Sequence, residues 1–522
     1  MNGYPSTVAR LLQRSASRSP NDLALTFAGR SWTYRELDRG AGRVAAALLA
    51  LGLRHGDRVA AFGRNSDAYL LLYVGCARAG LVHVPVNYNA FGDELAYLLT
   101  QSDPRVVFAD PALEVQLQDV SANLGHMRRG GLRDSVGESD VLRWACDPAG
   151  KVREEEGVSD EDVVQLLYTS GTTARPKGAM MTHRALLHEY LSCLVALDIS
   201  RDDVLLHCLP LYHSAQMHVF LVPALAMGAV NHLTEGPDVE DLLTRVPRDR
   251  ISSLFLPPTV WVDVANHPSL PSADLRSLCK CYYGASIMPV PVLARLQQRL
   301  SGAAFYNCFG QSEIGPLACV LGPHEHAQRP DSVGRSVLFV ETRVVDAEMN
   351  DVAPGELGEV VYRSPQLCTG YWGKPEETAE AFAGGWFHSG DLVRIDEEGY
   401  MFVVDRIKDV VNTGGVLVAT REVEDALYTH PAVAEVAVIG LPHPRWIEAI
   451  TAVVVPKSDV SREELVEHCR ARLAAHKLPK AIHFQESLPR NASGKLLKRE
   501  LRSLYGGSES AVRSHVEGPE RG

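Results

Sequence analysis

The strongest constraint on the fold is a strand, helix, strand succession between residues 59 and 86. Val59 to Phe62 reads as a short apolar strand, Asp67 to Arg78 as a helix, and Val82 to Val86 as a second buried strand. A helical crossover of this length brings two strands back side by side in parallel, with helices covering the sheet faces. The same alternation continues through Val106 to Phe108, Leu205 to Leu209, Leu254 to Leu256, Cys281 to Tyr283 and Phe305, so residues 1 to about 330 read as α/β. Upstream, Thr33-Tyr-Arg-Glu36 has the spacing of a capping box. Leu37, Ala41, Val44, Leu48 and Leu51 then repeat at helical spacing until Gly52 stops the helix.

The pattern changes near Val333. Short alternating runs such as Arg343 to Val345 and Glu359 to Tyr362 are separated by Pro-Gly and Asp-Glu-Glu-Gly turns, which predicts a small β subdomain over about 333–404. After Asp405 a compact α/β pattern returns, with a helix at Glu422 to Tyr428, strands at Val436 to Ile439 and Thr451 to Val455, and a capping box from Ser461 to Glu464. The expected organisation of the 522 residues is therefore α/β: a large N-terminal domain of α/β sheets over 1–407 that includes the β subdomain, and a small, mobile C-terminal α+β domain over 408–505. The stretch 506–522 is Gly, Ser and charged residues with too little apolar content to pack, and reads as a disordered tail.

Composition excludes several functions. A net charge of −12 argues against nonspecific nucleic-acid binding, though not against a local site for an anionic nucleotide. No apolar run approaches the ~20 residues of a membrane span, and the N-terminus lacks the regions of a signal peptide, so a cytoplasmic enzyme is the expectation. The ten cysteines form no paired framework. Cys279 and Cys281 are the one close pair, and with no second cluster at ligand spacing they read as core rather than as a zinc site.

Chemistry concentrates first at Tyr168 to Gly178, Y-T-S-G-T-T-A-R-P-K-G, directly after the apolar run Val163 to Leu167. The hydroxyls of Thr169, Ser170, Thr172 and Thr173 and the backbone N–H groups around Gly171 suit phosphate oxygens, and Lys177 supplies positive charge. Pro176 before the lysine and Gly178 after it exclude a Walker A loop.

Four further stretches follow: Pro210-Leu-Tyr-His213, Tyr306-Asn-Cys-Phe-Gly-Gln-Ser-Glu313, Trp386-Phe-His-Ser-Gly-Asp391 with Asp405-Arg-Ile-Lys408, and Pro489-Arg-Asn-Ala-Ser-Gly-Lys495. With the phosphate loop they make the chain resemble the adenylate-forming superfamily, and within it the fatty-acyl and related acyl-CoA synthetases. The resemblance covers nearly the whole chain. It implies activation of a carboxylate by ATP to an acyl adenylate and pyrophosphate, followed by transfer of the acyl group to the thiol of coenzyme A. It also implies that Glu313 holds Mg²⁺, that the Ser312 hydroxyl reaches the α-phosphate, and that Phe309 beside Gly310 stacks on adenine. Asp391 and Arg406 would contact the ribose, and Lys495 would bridge the substrate carboxylate and the α-phosphate. His213 matches the residue where acyl pocket and thiol tunnel meet, and Gly284, Ala285 and Ser286 match a small-residue segment that lets nucleotide and acyl group pass close to backbone. Lys408 matches the hinge about which the C-terminal domain rotates.

Departures from the family pattern fall mainly on the thioester-forming side. Ala174 stands in the phosphate loop where the family usually has glycine. Gly414 and Gly415 are followed by Val416 and Leu417 instead of Glu and Asn, Trp446 is followed by Ile447 instead of glycine, and His476 stands where an aromatic often precedes Lys477. Two enzyme readings stay open on that evidence. Either the chain completes a coenzyme A thioester, or it stops at the adenylate and hands the acyl group to a partner enzyme or carrier protein. A noncatalytic binder would have no use for Lys177, Glu313, Asp391 and Lys495 together. The substrate reads as a hydrophobic carboxylic acid, fatty, aryl or terpenoid, in a pocket expected to be lined by residues 213–218, 284–286 and 309–312.

Overall fold

The strand, helix, strand unit takes the form Arg58–Phe62, Asp67–Ala79 and Val82–Val86, and the two strands pair in parallel. The computed structural model describes residues 6–121, 125, 127–135, 137–169, 175–286, 288–490 and 496–506. The chain divides into two compact units, one comprising Met1–Thr342 with Val361–Ser389 and the other Arg343–Val360 with Gly390–Gly522.

The first unit holds two large sheets. One has six strands in the order Arg128–Gly131, Val106–Ala109, Arg58–Phe62, Val82–Val86, Val163–Thr169 and Lys177–Thr182. All neighbours in it are parallel except the last pair, which forms an antiparallel ribbon in which Thr169 lies opposite Lys177. The other sheet has nine strands. Its middle, from Ala304–Phe309 through Lys280–Gly284, Ser253–Phe255, Val204–His207 and Val230–Leu233 to Leu23–Phe27, is parallel throughout. Antiparallel strands finish it at both edges. Both faces of a parallel sheet need cover, which is why the helices Tyr34–Ala50 and Asp67–Ala79 bury so many apolar residues. The capping box at Thr33 is complete, since its hydroxyl accepts from the Glu36 N–H and the Glu36 carboxylate accepts from the Thr33 N–H.

The second unit contains most of a four-stranded sheet in the order Glu341–Val345, Leu357–Arg363, Phe387–Ile395 and Met401–Arg406. It also contains a five-stranded sheet built on the long antiparallel pair Val433–His443 and Ile447–Pro456. The helices Thr420–Tyr428 and Arg462–Arg470 cover that sheet, and the second opens with the capping box expected at Ser461. The fold class is as the sequence implied, a large α/β part and a smaller part of antiparallel strands and helices.

Three local readings are corrected. The strand expected over 205–209 ends at His207. Gly506, placed in a disordered tail, closes the helix Lys498–Gly506, whereas residues 507–522 lie outside the described residues. Cys279, read as core with Cys281, is exposed because it precedes the strand that buries its neighbour. The described residues contain no cluster of three potential metal ligands and no helix long and apolar enough to cross a membrane.

A buried polar chain runs through the first unit. The Tyr190 hydroxyl meets His218 Nδ1 at 2.9 Å, His218 Nε2 meets Gln165 Oε1 at 2.6 Å, and Gln165 Nε2 meets His83 Nδ1 at 3.0 Å. Burial holds His83 and His218 down to about 3, and His183 and His207 down to about 4, from the ordinary 6.5. Each ring therefore binds its proton less tightly in the folded chain than in the unfolded one. The unfolded chain takes up more protons as the pH drops through 6.5, and stability is lost from there toward pH 3. Glu189, raised to about 8 by burial, contributes in the opposite sense but is outnumbered. The melting temperature should fall as the buffer is taken from pH 7 to pH 4.5. A flat or rising profile would contradict the buried neutral imidazoles.

Candidate active site

The phosphate loop leaves the six-stranded sheet at the end of Val163–Thr169 and re-enters it at Lys177. Ser170, Gly171, Thr172 and Thr173, and Lys495 far downstream, lie outside the described residues. At the near end of the loop, the Thr169 hydroxyl donates to Glu313 Oε1 at 2.9 Å. At the far end, Lys177 is buried at 9 % exposure with its ammonium 5.0 Å from the centre of the Tyr371 ring. The Tyr371 hydroxyl in turn donates to Glu313 Oε1 at 3.1 Å. Thr169, Lys177, Glu313 and Tyr371 thus form one cluster. Tyr97 donates to the Pro176 carbonyl at 3.0 Å and anchors the loop's return.

Glu313 sits on the single turn Ser312–Ile314 that follows the strand Ala304–Phe309. Its buried carboxylate accepts two neutral hydroxyls, both on Oε1, and no cationic side chain is paired with it among the described residues. This arrangement leaves Oε2 for a ligand, which fits a hard cation that takes one protein carboxylate and completes its shell with phosphate oxygens and water. The Ser312 hydroxyl meets that of Ser214 at 2.8 Å, which brings the segment after His213 beside the turn.

Close backbone approach explains the glycines here. A Cβ at Gly284 would lie 2.2 Å from the Cys308 carbonyl oxygen, and one at Gly310, whose φ is +153°, would lie 2.1 Å from that of Pro316. Ala285 and Ser286 follow on the exposed loop, and Phe309 is half-buried at the strand's end.

The acyl-pocket lining expected over 213–218 is partly wrong. His213 and Ala215 are half-buried, but Gln216, Met217 and His218 belong to a π-helix, Ala215–Leu221, that turns them into the core. Gln216 bonds His207 and the Leu209 N–H, and His218 bonds Tyr190 and Gln165. Their polar atoms serve the interior.

In the second unit, Asp391 and Arg406 face each other across the antiparallel pair Phe387–Ile395 and Met401–Arg406. Arg406 Nε lies 2.7 Å from Asp391 Oδ1, and the carboxylate is buried at 4 % exposure. Lys408 follows on the turn Ile407–Asp409. Gly414 and Gly415, with φ of +67° and +86°, make the tight hairpin between Val411–Thr413 and Val416–Val418. The Gly414 N–H donates to the Trp446 carbonyl at 2.7 Å. The Trp446 ring is stacked on His443 at 4.4 Å with the Lys480 ammonium 5.3 Å from its centre. Val416, Leu417 and Ile447 are exposed around it.

Ile447 has φ +65°, a conformation that is costly for a β-branched residue. Replacing it with glycine removes about 1–2 kcal/mol of left-handed strain and adds up to about 1 kcal/mol of chain entropy in the unfolded state. Ile447→Gly should leave stability unchanged or raise it by about 1 kcal/mol, read from denaturant unfolding. A loss of that size would contradict the strain.

Sequence reasoning missed Tyr371. Its signal was slight: Gly370 before two aromatics, in a stretch otherwise rich in turn residues. It also missed Glu189 and Gln366, both buried behind the Ser312–Ile314 turn.

Residues 12–372 match the family model described as AMP-binding enzyme, and residues 422–495 match the AMP-binding enzyme C-terminal domain. A feruloyl-CoA synthase from an Amycolatopsis species is 38% identical over 495 residues, covering 94% of this chain and 98% of that protein. An indoleacetate–CoA ligase from Aromatoleum aromaticum is 30% identical, covering 94% and 97%. The crystal structure of ATP-bound MatB from Rhodopseudomonas palustris superposes with a TM-score of 0.88 at 31% identity, covering 96% of this chain and 99% of that one. With matches of that extent added to the arrangement of Thr169, Lys177 and Glu313, the chain belongs to the AMP-binding enzymes and is an adenylate-forming acid–thiol ligase of the acyl-CoA synthetase type.

Proposed function

We propose that the substrate is an aromatic carboxylic acid, of the arylpropenoic or arylacetic kind, and that the chain converts it to the acyl-CoA by way of an acyl adenylate. The observation that carries this reading is the 38% identity to a feruloyl-CoA synthase across nearly the full length of both chains. In the first step a carboxylate oxygen attacks the α-phosphorus of ATP and pyrophosphate leaves. In the second the sulfur of coenzyme A attacks the acyl carbon, the thiol proton is lost and AMP leaves.

The carboxylate must approach a nucleotide of like charge, so groups that neutralise the developing negative charge dominate the first step. Lys177 and the hydroxyls of Thr169, Ser170, Thr172 and Thr173, with the Gly171 N–H, hold the terminal phosphates in this reading. Ser312 donates to the α-phosphate, and Lys495 bridges it to the attacking carboxylate. Glu313 would hold Mg²⁺, which when bound offsets phosphate charge. Phe309 and Gly310 seat the adenine, Asp391 and Arg406 the ribose, and Gly284, Ala285 and Ser286 leave space where nucleotide and acyl group meet. His213 stands at the junction of acyl pocket and thiol path. The functional division we infer is 1–407 for acid and ATP and 408–505 for a mobile domain hinged at Lys408, with Gly414, Gly415 and Trp446 on its coenzyme A face.

A second reading is favoured by one observation. Val416, Leu417 and Ile447 expose apolar surface beside Trp446, a composition better suited to an acyl-accepting protein than to pantetheine alone. On that reading the acyl adenylate passes to a carrier protein or partner enzyme.

A panel of arylpropenoic, arylacetic, benzoic and straight-chain fatty acids, assayed by acid-dependent pyrophosphate release, tests the substrate class. The aromatic reading expects kcat/KM for the best aryl acid to exceed that for the best fatty acid by about ten-fold or more, since a planar pocket and a flexible chain differ by a few kcal/mol of fit. A preference for fatty acids would overturn it.

A further inference from the structure

Glu189 lies on the helix His183–Ala196 with no exposed surface and, among the described residues, no basic side chain paired with it. Its Oε1 accepts from the Leu317 N–H at 2.9 Å and the Cys193 thiol at 3.3 Å, and its Oε2 accepts from Gln366 Nε2 at 2.6 Å. Gln366 is equally buried. The same amide nitrogen reaches the carbonyls of Ile314 at 3.2 Å and Leu317 at 3.1 Å, while its oxygen accepts from the Ser192 hydroxyl at 2.6 Å. Together the two side chains bond both backbone directions of the segment 314–317, immediately after Ser312 and Glu313. Gly315 packs against the carboxylate so closely that a Cβ there would lie 2.8 Å from Glu189 Oε2.

Apolar packing would suffice to support a turn. A buried carboxyl without a cation is costly, and burial pushes Glu189 up to about 8. What the carboxyl adds is direction: its two oxygens fix where the Leu317 N–H and the Gln366 amide point, and through them where the turn's carbonyls stand. We propose that Glu189 and Gln366 are positioning residues for adenylation, holding the 312–317 turn at the depth where the Ser312 hydroxyl and the Glu313 carboxylate meet the metal nucleotide. The claim rests on the reading of Ser312 and Glu313 given above. It predicts that loosening the pair costs metal-dependent nucleotide binding and turnover, and leaves acid binding in place.

The test uses the full chain with Glu189→Gln, Gln366→Leu and Glu313→Gln. ATP binding is measured by calorimetry with and without Mg²⁺, and kcat and the acid KM by pyrophosphate exchange. Glu189→Gln turns an acceptor into a donor facing Gln366 Nε2, and Gln366→Leu orphans two carbonyls. Each should lower the Mg²⁺-dependent gain in ATP affinity and kcat by about ten-fold, the scale of one unsatisfied buried group, with the acid KM within about two-fold. The double variant should lose far less than the product of the two, because both act on one turn. Unchanged metal-dependent affinity and kcat in folded variants would overturn the proposal. So would an equal loss of metal-free and metal-dependent binding with acid KM rising in step, which is the mark of general loosening. Where either variant fails to fold, Ser192→Ala, which removes one donor to Gln366 Oε1, should shift the same ratio about three-fold, and no shift overturns the proposal. If Glu313→Gln leaves the ratio intact, the metal reading of Glu313 fails. If Glu313→Gln abolishes it while the Glu189 and Gln366 variants keep it, the positioning claim alone fails.

Discussion

Lys495→Ala should slow adenylate formation by a factor of about 10² or more while leaving the fold intact. The motif Pro489-Arg-Asn-Ala-Ser-Gly-Lys495 ends in a lysine preceded by small and polar residues. On the proposed assignment this ammonium is shared by the two reacting anions, the substrate carboxylate and the α-phosphate. Lysine acts there as a compact point charge that follows charge as it moves from carboxylate to phosphate, which the planar fork of an arginine does less well. Alanine removes that stabilisation only where the anions converge, so kcat falls more than nucleotide affinity. The check is acid-dependent pyrophosphate exchange at saturating ATP and acid, with the melting temperature as control. Exchange within about three-fold of wild type would remove Lys495 from the mechanism.

The second large effect belongs to Glu313. Glu313→Gln is nearly isosteric, and its amide oxygen still accepts from Thr169 and Tyr371, so the cluster's geometry should survive. The charge does not. One neutral oxygen replaces the carboxylate that suits a hard cation, and the Mg²⁺ concentration for half-maximal exchange should rise by about ten-fold or more, with partial recovery at high Mg²⁺. Unaltered turnover at limiting Mg²⁺ would contradict the metal assignment.

Local signals explain what was legible in the sequence. Capping boxes at Thr33 and Ser461 are four-residue features, and both are complete in the structure because their bonds close within one helical turn. The parallel strands at Val59 and Val82 were legible because a strand buried on both faces is nearly all apolar, His83 being the exception within Val82–Val86. The cluster of Thr169, Lys177 and Glu313 could be assembled only by resemblance, since no periodicity relates residue 169 to residue 313. Tyr371 was missed because an aromatic serving as hydroxyl donor and cation platform together looks like any core aromatic. The stretch 213–218 was misread for the opposite reason. Its His, Gln and Met look like pocket chemistry, yet in the π-helix Gln216 turns to buried His207 nine residues back and His218 to buried Gln165 on a separate strand. Ile447 was legible as a departure from glycine, but its cost became definite only with its positive φ.

On the proposed function, the chain activates an aryl acid and delivers it to coenzyme A. The most direct measurement mixes enzyme, the best acid from the panel, ATP, Mg²⁺ and coenzyme A, and follows acyl-AMP and acyl-CoA together by mass spectrometry over a single turnover and beyond. Acid-dependent loss of ATP, a transient acyl-AMP, and stoichiometric aryl-CoA with AMP and pyrophosphate are the expected result. Persistent acyl-AMP that coenzyme A does not consume would contradict it, and the contradiction would be localised if the Val416→Glu, Leu417→Asn, Ile447→Gly variant then converted that adenylate to the thioester.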